Sequence, residues 1–172
     1  GLAAEQVMLD GNALSTGHDF YEVGAMAIAP NDRILAYVDD TVGRREYTLR
    51  FKDLETGETL PDHVVSIDPY IAWTADSASV VYVEKHPETL LGYLVKRHVL
   101  GTDPSQDVLI HEEQDESFYT SVFNSKDDRY VLIKAESTVS TEWRYADAAD
   151  PALAFRVFLP RERDHEYHIN HL

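Results

Sequence analysis

Three stretches of the chain share one order of apolar and polar positions. "AIAPNDRILAYV" (27–38), "AWTADSASVVYV" (72–83) and "VFNSKDDRYVLI" (122–133) each read as an apolar strand, a polar turn and a second apolar strand. The turns are Pro30-Asn31-Asp32, Ala75-Asp76-Ser77 and Ser125-Lys126-Asp127-Asp128. Such residues preset φ or hydrogen-bond the local backbone, which favours tight turns. The strands that follow, "ILAYV", "VVYV" and "YVLI", are almost unbroken apolar runs. Continuous rather than alternating hydrophobicity predicts burial on both faces. A more amphipathic third strand comes next, at 45–54, 92–100 and 142–148. A fourth is clear at 107–113 and 155–160 and weak near 59–65. No stretch keeps apolar residues at helical spacing over three turns, although the opening "LAAEQVMLDGN" suits a short helix or an edge strand.

Aligning Val38, Val83 and Ile133 gives separations of 45 and 50 residues. Four strands in roughly 40–50 residues is the size of a β-propeller blade, and stacked blades hide both faces of their inner strands. The expected fold is therefore all-β, an incomplete β-propeller of about three four-stranded blades plus the first strand of a fourth. The units run 21–66, 67–116 and 117–163, after a lead-in over 1–20 and before a fourth start at 164–172. A β-sandwich would also show short strands at regular spacing; unit length and the shared strand–turn–strand order favour the propeller. Three units do not close a ring, and open faces and strand edges invite association. The expectation is self-association or, given the absent initiator Met and abrupt end, an excerpt of a longer chain.

Composition narrows the partners. Lys plus Arg number 15 against 31 Asp plus Glu, a formal charge of −16. Phosphate binding needs clustered cations, so nucleic acid is an unsuitable partner, and anionic membranes are equally disfavoured. A cationic ligand would be drawn in. The absence of cysteine excludes disulfides and thiolate metal sites. It fits a reducing cytoplasm without excluding the periplasm. No apolar run approaches the roughly 18 residues needed to span a bilayer.

Longer phrases carry a resemblance. "FYEVGAMAIAPNDRILAYVDD", "GRREYTLRFKDLETGE", "VEKHPETLLGYLVKRHVLGTDPSQDVLIHEE" and "FLPRERDHEYHINH" are ordered over most of the chain, from about Val7 to the C-terminus. They resemble the N-terminal propeller of the oligopeptidase B branch of the prolyl oligopeptidase family of serine peptidases. That resemblance implies a seven-bladed propeller capping a C-terminal α/β-hydrolase domain, which carries a Ser, an Asp and a His and cleaves short peptides after Arg or Lys. It implies that the propeller restricts access and excludes folded proteins. A nucleophile elbow needs G-x-S-x-G, and none occurs among the 8 glycines. The segment is thus expected to hold no catalytic residue, to be inactive alone and to need no cofactor. One departure is that none of the three turns has the Asp-Gly often found in these blades. The competing class is a stand-alone β-rich interaction module that self-associates through open blade edges.

Three groups of residues are candidates for chemistry. Arg44 and Arg45 sit at a strand connection, where Arg forms planar bidentate pairs with carboxylates. One of them could latch the hydrolase domain, although an exposed turn pair is the plainer reading. The run "HEEQDE" (111–116) lacks the spaced ligands and central glycine of a calcium loop. As a solvated rim, Glu112, Glu113, Asp115 and Glu116 could concentrate cationic peptides by steering. His165, His168 and His171 invite a zinc reading, but "HEYHINH" is not the H-E-x-x-H that places two His on one helical face. Trp73 and Trp143 read as packing between blades.

Overall fold

The computed structural model describes residues 5–172. Asp10 caps a single helical turn, α1 (Gly11–Leu14), by accepting from the Asn12 and Ala13 amides. Apart from a short 3-10 turn at Pro104–Gln106, the remaining described elements are strands joined by turns and irregular loops. The first blade holds β1 (Glu22–Ile28), β2 (Ile34–Asp40), β3 (Tyr47–Asp53) and the first half of β4 (Thr59–Trp73). The end of β4 opens the second blade, continuing with β5 (Ser79–Lys85), β6 (Gly92–Val99) and β7 (Val108–Glu112). The third holds β8 (Tyr119–Asn124), β9 (Tyr130–Glu136), β10 (Thr141–Asp147) and β11 (Arg156–Leu159). All pairings within the blades are antiparallel between neighbours in sequence.

β4 belongs to two blades. It pairs with β3 as far as Ile67 and with β5 from Ile67 onward, with a register shift between Ile67 and Ile71. Ser66, at φ 59°, sits at the bend. This is the fourth strand that the sequence marks only weakly. Paired along the edge of β3, this half buries Val64 and Ile67 and leaves the other residues half-buried or exposed.

Each inner strand turns into its successor in the same way. Asp32, Ser77 and Asp128 take φ of 58–59°, and each donates its amide three residues back, to Ala29, Thr74 and Ser125. Left-handed backbone in a residue with a Cβ costs about 1 kcal/mol. The side chains just before them offset it: Asn31, Asp76 and Asp127 accept from the amides of Arg33, Ala78 and Arg129. Asp and Ser therefore do here what Gly would do in an Asp-Gly turn.

The core is two seams between blades. Ala36 and Val38 of β2 meet Val80 and Tyr82 of β5, with Phe51, Ile67 and Trp73, across the first seam. Val81 and Val83 point the other way and meet Val131 and Ile133 of β9 across the second. Strands that bury alternate residues against different neighbours must be apolar throughout. Each such Val or Ile contributes about 1.5–3 kcal/mol by leaving water. Polar links lock the seams: the Trp73 indole donates to Ala27 O at 3.0 Å, and the Asn124 amide both accepts from Trp73 N (2.8 Å) and donates to Trp73 O (2.9 Å). In the first seam His98 is buried against Phe51, its Nδ1 2.8 Å from an Asp107 carboxylate that also accepts from the Tyr82 hydroxyl. Burial and that carboxylate push the Tyr82 hydroxyl well above its usual range.

The stretch expected to open a fourth unit, 164–172, is irregular and makes one parallel bridge, Ser140 with His165. It lies over the outward face of the third blade. Trp143 packs there rather than between blades two and three, its indole donating to Tyr167 O at 3.0 Å.

Candidate functional site

The antiparallel order brings the starts of β1, β8 and the inner half of β4 to one end of the arc. The ends of β2, β5, β7 and β9 lie at that same end. Both charged groups singled out in the sequence fall on this face: Arg44 and Arg45 in the loop after β2, and the 112–116 run after β7. Between the blades the face opens into a cleft of about 860 Å³, within the size range of small-molecule sites.

Asp40 builds the loop bearing the arginines. Its carboxylate accepts from the amides of Val42 (2.8 Å), Gly43 (2.9 Å) and Arg45 (2.7 Å). Burial alone would raise its pKa, but these donations outweigh burial and hold it below the usual carboxylate value. Arg44 and Arg45 are exposed at the cleft, and neither has a carboxylate within ion-pair distance among the described residues.

The deeper wall is polar and tightly fitted. Asp68 pairs with Lys85 at 3.0 Å, and Lys85 also donates to Arg45 O. Burial still pushes the Asp68 carboxyl above its ordinary value, against the opposing pull of Lys85. Two glycines make the wall what it is. A Cβ on Gly92 would stand 2.3 Å from Asp68 Oδ2, and one on Gly24 would stand 2.5 Å from the Tyr47 ring. Thr120, 2% exposed, lines the same cleft, and its hydroxyl has no hydrogen-bond partner among the described residues. A glycine inside a strand signals close approach of a neighbour; Gly24 and Gly92 were the sequence marks of this wall.

The acidic run divides. Glu112, Asp115 and Glu116 are exposed, with Asp115 lowered in pKa chiefly by the Ser117 hydroxyl. Glu113 does not belong to an open rim. It is buried and paired with Arg161 at 2.7 Å, whose guanidinium lies 4.0 Å from the Phe118 ring centroid and also reaches Glu142. That arginine joins the second and third blades and was not visible as a functional residue in the sequence. The three histidines part company: His165 lies against Tyr167, His168 against the Trp143 ring, and His171 on Asp127 at 2.7 Å. Among the described residues no three His, Asp or Glu side chains are grouped to hold a metal ion.

The fold is thus an arc of β-propeller blades stacked about a common axis, with its loops forming a charged, clefted face. The family described as "Prolyl oligopeptidase, N-terminal beta-propeller domain" matches residues 1–172, and the chain belongs to it. Dipeptidyl aminopeptidase BI from Pseudoxanthomonas mexicana is 53% identical over 170 residues, covering 99% of this chain and 23% of the relative. Protease 2 from Moraxella lacunata is 28% identical over 173 residues, covering 98% of this chain and 25% of the relative. Oligopeptidase B from Leishmania major superposes with a TM-score of 0.92 at 29% identity, covering 98% of this chain and 24% of that one. The chain therefore spans about a quarter of the length of these relatives.

Proposed function

We propose that this segment is the access-controlling part of a serine oligopeptidase acting on short peptides, with a C-terminal α/β-hydrolase domain supplying the catalytic groups. The observation that carries the reading is the family match over the whole chain, joined to 53% identity with a named aminopeptidase. Cleavage after Arg or Lys is the specificity favoured by the likeness to Protease 2 and oligopeptidase B. Release of dipeptides from the amino end is the mode favoured by the nearer likeness to a dipeptidyl aminopeptidase. Arg44 and Arg45, exposed and without acidic partners among the described residues, suit a carboxylate of the hydrolase domain as a latch. Glu112, Asp115 and Glu116 suit the steering of cationic peptides.

The test is made on the full-length protein with short peptides carrying a reporter after Arg or Lys. Hydrolysis blocked by a serine-directed inhibitor, falling steeply with salt and absent for folded protein substrates, is the expected outcome. No hydrolysis of any short peptide refutes the peptidase reading, and folded proteins cut as fast as peptides refute the access role. Unchanged kinetics in both Arg44→Ala and Arg45→Ala dispose of the latch.

A further inference from the structure

The inner wall of the cleft holds more polar character than folding requires. Thr120 is buried at the start of β8 with an unpartnered hydroxyl. A buried hydroxyl without a partner costs on the order of 1–3 kcal/mol, so such a group calls for a partner, which a bound ligand or a water supplies. Asn124, four residues further on, pairs with Trp73 of the adjacent inner strand. Because the two inner strands run side by side in the same direction, counting back four residues from the Asn124–Trp73 pair sets Thr120 level with Pro69, the residue after Asp68, and all three line the cleft. The Asp68 carboxylate is admitted to this wall only because residue 92 is glycine. Glu22 lines the same cleft, with Tyr70 and Tyr119 as aromatic neighbours.

The geometry points to a binding site for the amino-terminal ammonium of a peptide, in which Asp68 and the Thr120 hydroxyl accept its hydrogen bonds and Glu22 adds negative charge. The site rests on the peptidase reading above and gives it a substrate feature: a free α-amine. An ammonium offers three donors for these acceptors, in a cleft that Arg44, Arg45 and Lys85 also line. The tyrosines supply faces that attract a cation, and the cleft accommodates the first residues of a peptide. Lys85 already occupies one Asp68 oxygen, Oδ1, at 3.0 Å. The other, Oδ2, is the oxygen that stands where a Cβ on residue 92 would intrude.

The experiment titrates the full-length protein calorimetrically with dialanine and with N-acetyl-dialanine. Dialanine is expected to bind at least about tenfold more tightly, the value of one charge-assisted hydrogen bond. Thr120→Val should erase about tenfold of that preference, and Thr120→Ser, which keeps the hydroxyl, should retain it. Gly92→Ala, which drives the Asp68 carboxylate out of the wall, should abolish the preference. Equal affinities for the two probes, no measurable dialanine binding, or an unaffected Thr120→Val variant overturns the site. The two readings fail separately. A protein that cleaves short peptides but ignores the amino end loses the site alone. One that prefers dialanine yet cleaves no peptide loses the peptidase reading alone.

Discussion

Replacing Asn124 by Asp tests the central structural claim, that adjacent blades are joined by side chains acting as surrogate strands. Asn124 Oδ1 accepts from Trp73 N at 2.8 Å and Nδ2 donates to Trp73 O at 2.9 Å, and Trp73 is only 2% exposed. At neutral pH the Asp carboxylate keeps the first bond but sets an oxygen against the Trp73 carbonyl. Leaving that buried carbonyl unsatisfied costs about 1–3 kcal/mol, and charge-assisted acceptance from Trp73 N returns a fraction of it. The net cost at pH 7 should be about 2 kcal/mol. The protonated acid can donate again, so the cost should shrink below about 1 kcal/mol in acid. A difference of about 1–2 kcal/mol between neutral and acid pH corresponds to a folded-state pKa raised by about 0.7–1.5 units above the usual carboxylate value of about 3.9. The sign follows: between the unfolded and the raised folded pKa the native state holds the extra proton. Stability relative to the parent protein then falls as pH rises through that window. Urea titrations of parent and variant at matched pH values across about 4 to 7.5 measure this directly. Asn124→Ala should cost about 2–4 kcal/mol with no such pH dependence, since it orphans both Trp73 groups. A pH-independent cost for Asn124→Asp, or an Asn124→Ala variant as stable as the parent, refutes the surrogate-strand account.

Asp40→Asn should destabilise the protein by about 1–2 kcal/mol at pH 7, because an amide oxygen cannot serve all three loop amides. The parent's advantage should be present above the unfolded value near 3.9 and lost as pH falls through the lowered folded pKa; faster amide exchange at Val42, Gly43 and Arg45 locates it. Trp143→Phe keeps the ring but removes the indole donor to Tyr167 O, so it should cost about 1 kcal/mol. Deuterium uptake over residues 160–172 should rise while the first blade is unaffected, and uniform uptake across the chain would count against a local clasp.

The strands were legible because their burial is two-sided: β2, β5 and β9 each carry an unbroken apolar run, and the turns before them carry Asn, Asp or Ser where the backbone needs local hydrogen bonds. The register was less so. Alignment by hydrophobic run pairs Val38, Val83 and Ile133, at separations of 45 and 50. The left-handed turn residues Asp32, Ser77 and Asp128 instead give 45 and 51. By the turns Ile133 corresponds to Tyr82, and both point toward the preceding blade, as the two seams require. A slip of one residue exchanges the faces of a strand, but in a run apolar on both faces nothing in the pattern marks the error. The strand expected near 59–65 is present but was faint for the opposite reason, since this half of β4 has only Val64 and Ile67 as buried apolar anchors. The cleft was the least visible feature. Asp68, Gly92 and Thr120 are far apart in sequence, Thr120 reads as an ordinary strand residue, and only the stacking of blades brings them to one wall.

The same stacking explains how an arc of blades behaves at its two outward faces. On the third blade, Tyr167 closes the face through its whole length. Its backbone N donates to Thr141 at 2.8 Å, its O accepts from the Trp143 indole, and its hydroxyl accepts from Trp143 N while donating to Leu159 O at 2.8 Å. The segment over 160–171 thus takes the place that a neighbouring strand would fill, satisfying backbone and covering an aromatic core together. The first blade is closed less completely. Lys52 donates to Met8 O and Tyr21 reaches Asp39, while Leu35 and Tyr37 are buried, yet Met26 and Ile28 on the same face remain 55% and 44% exposed. Unpaired apolar area at a strand edge is what drives association. At the first blade, Met26 and Ile28 are therefore the apolar surface open to an adjoining blade. The third blade is clasped by hydrogen bonds along Tyr167 but still leaves Phe158 and Leu159 of β11 52% and 43% exposed, a second apolar area at the other end of the arc.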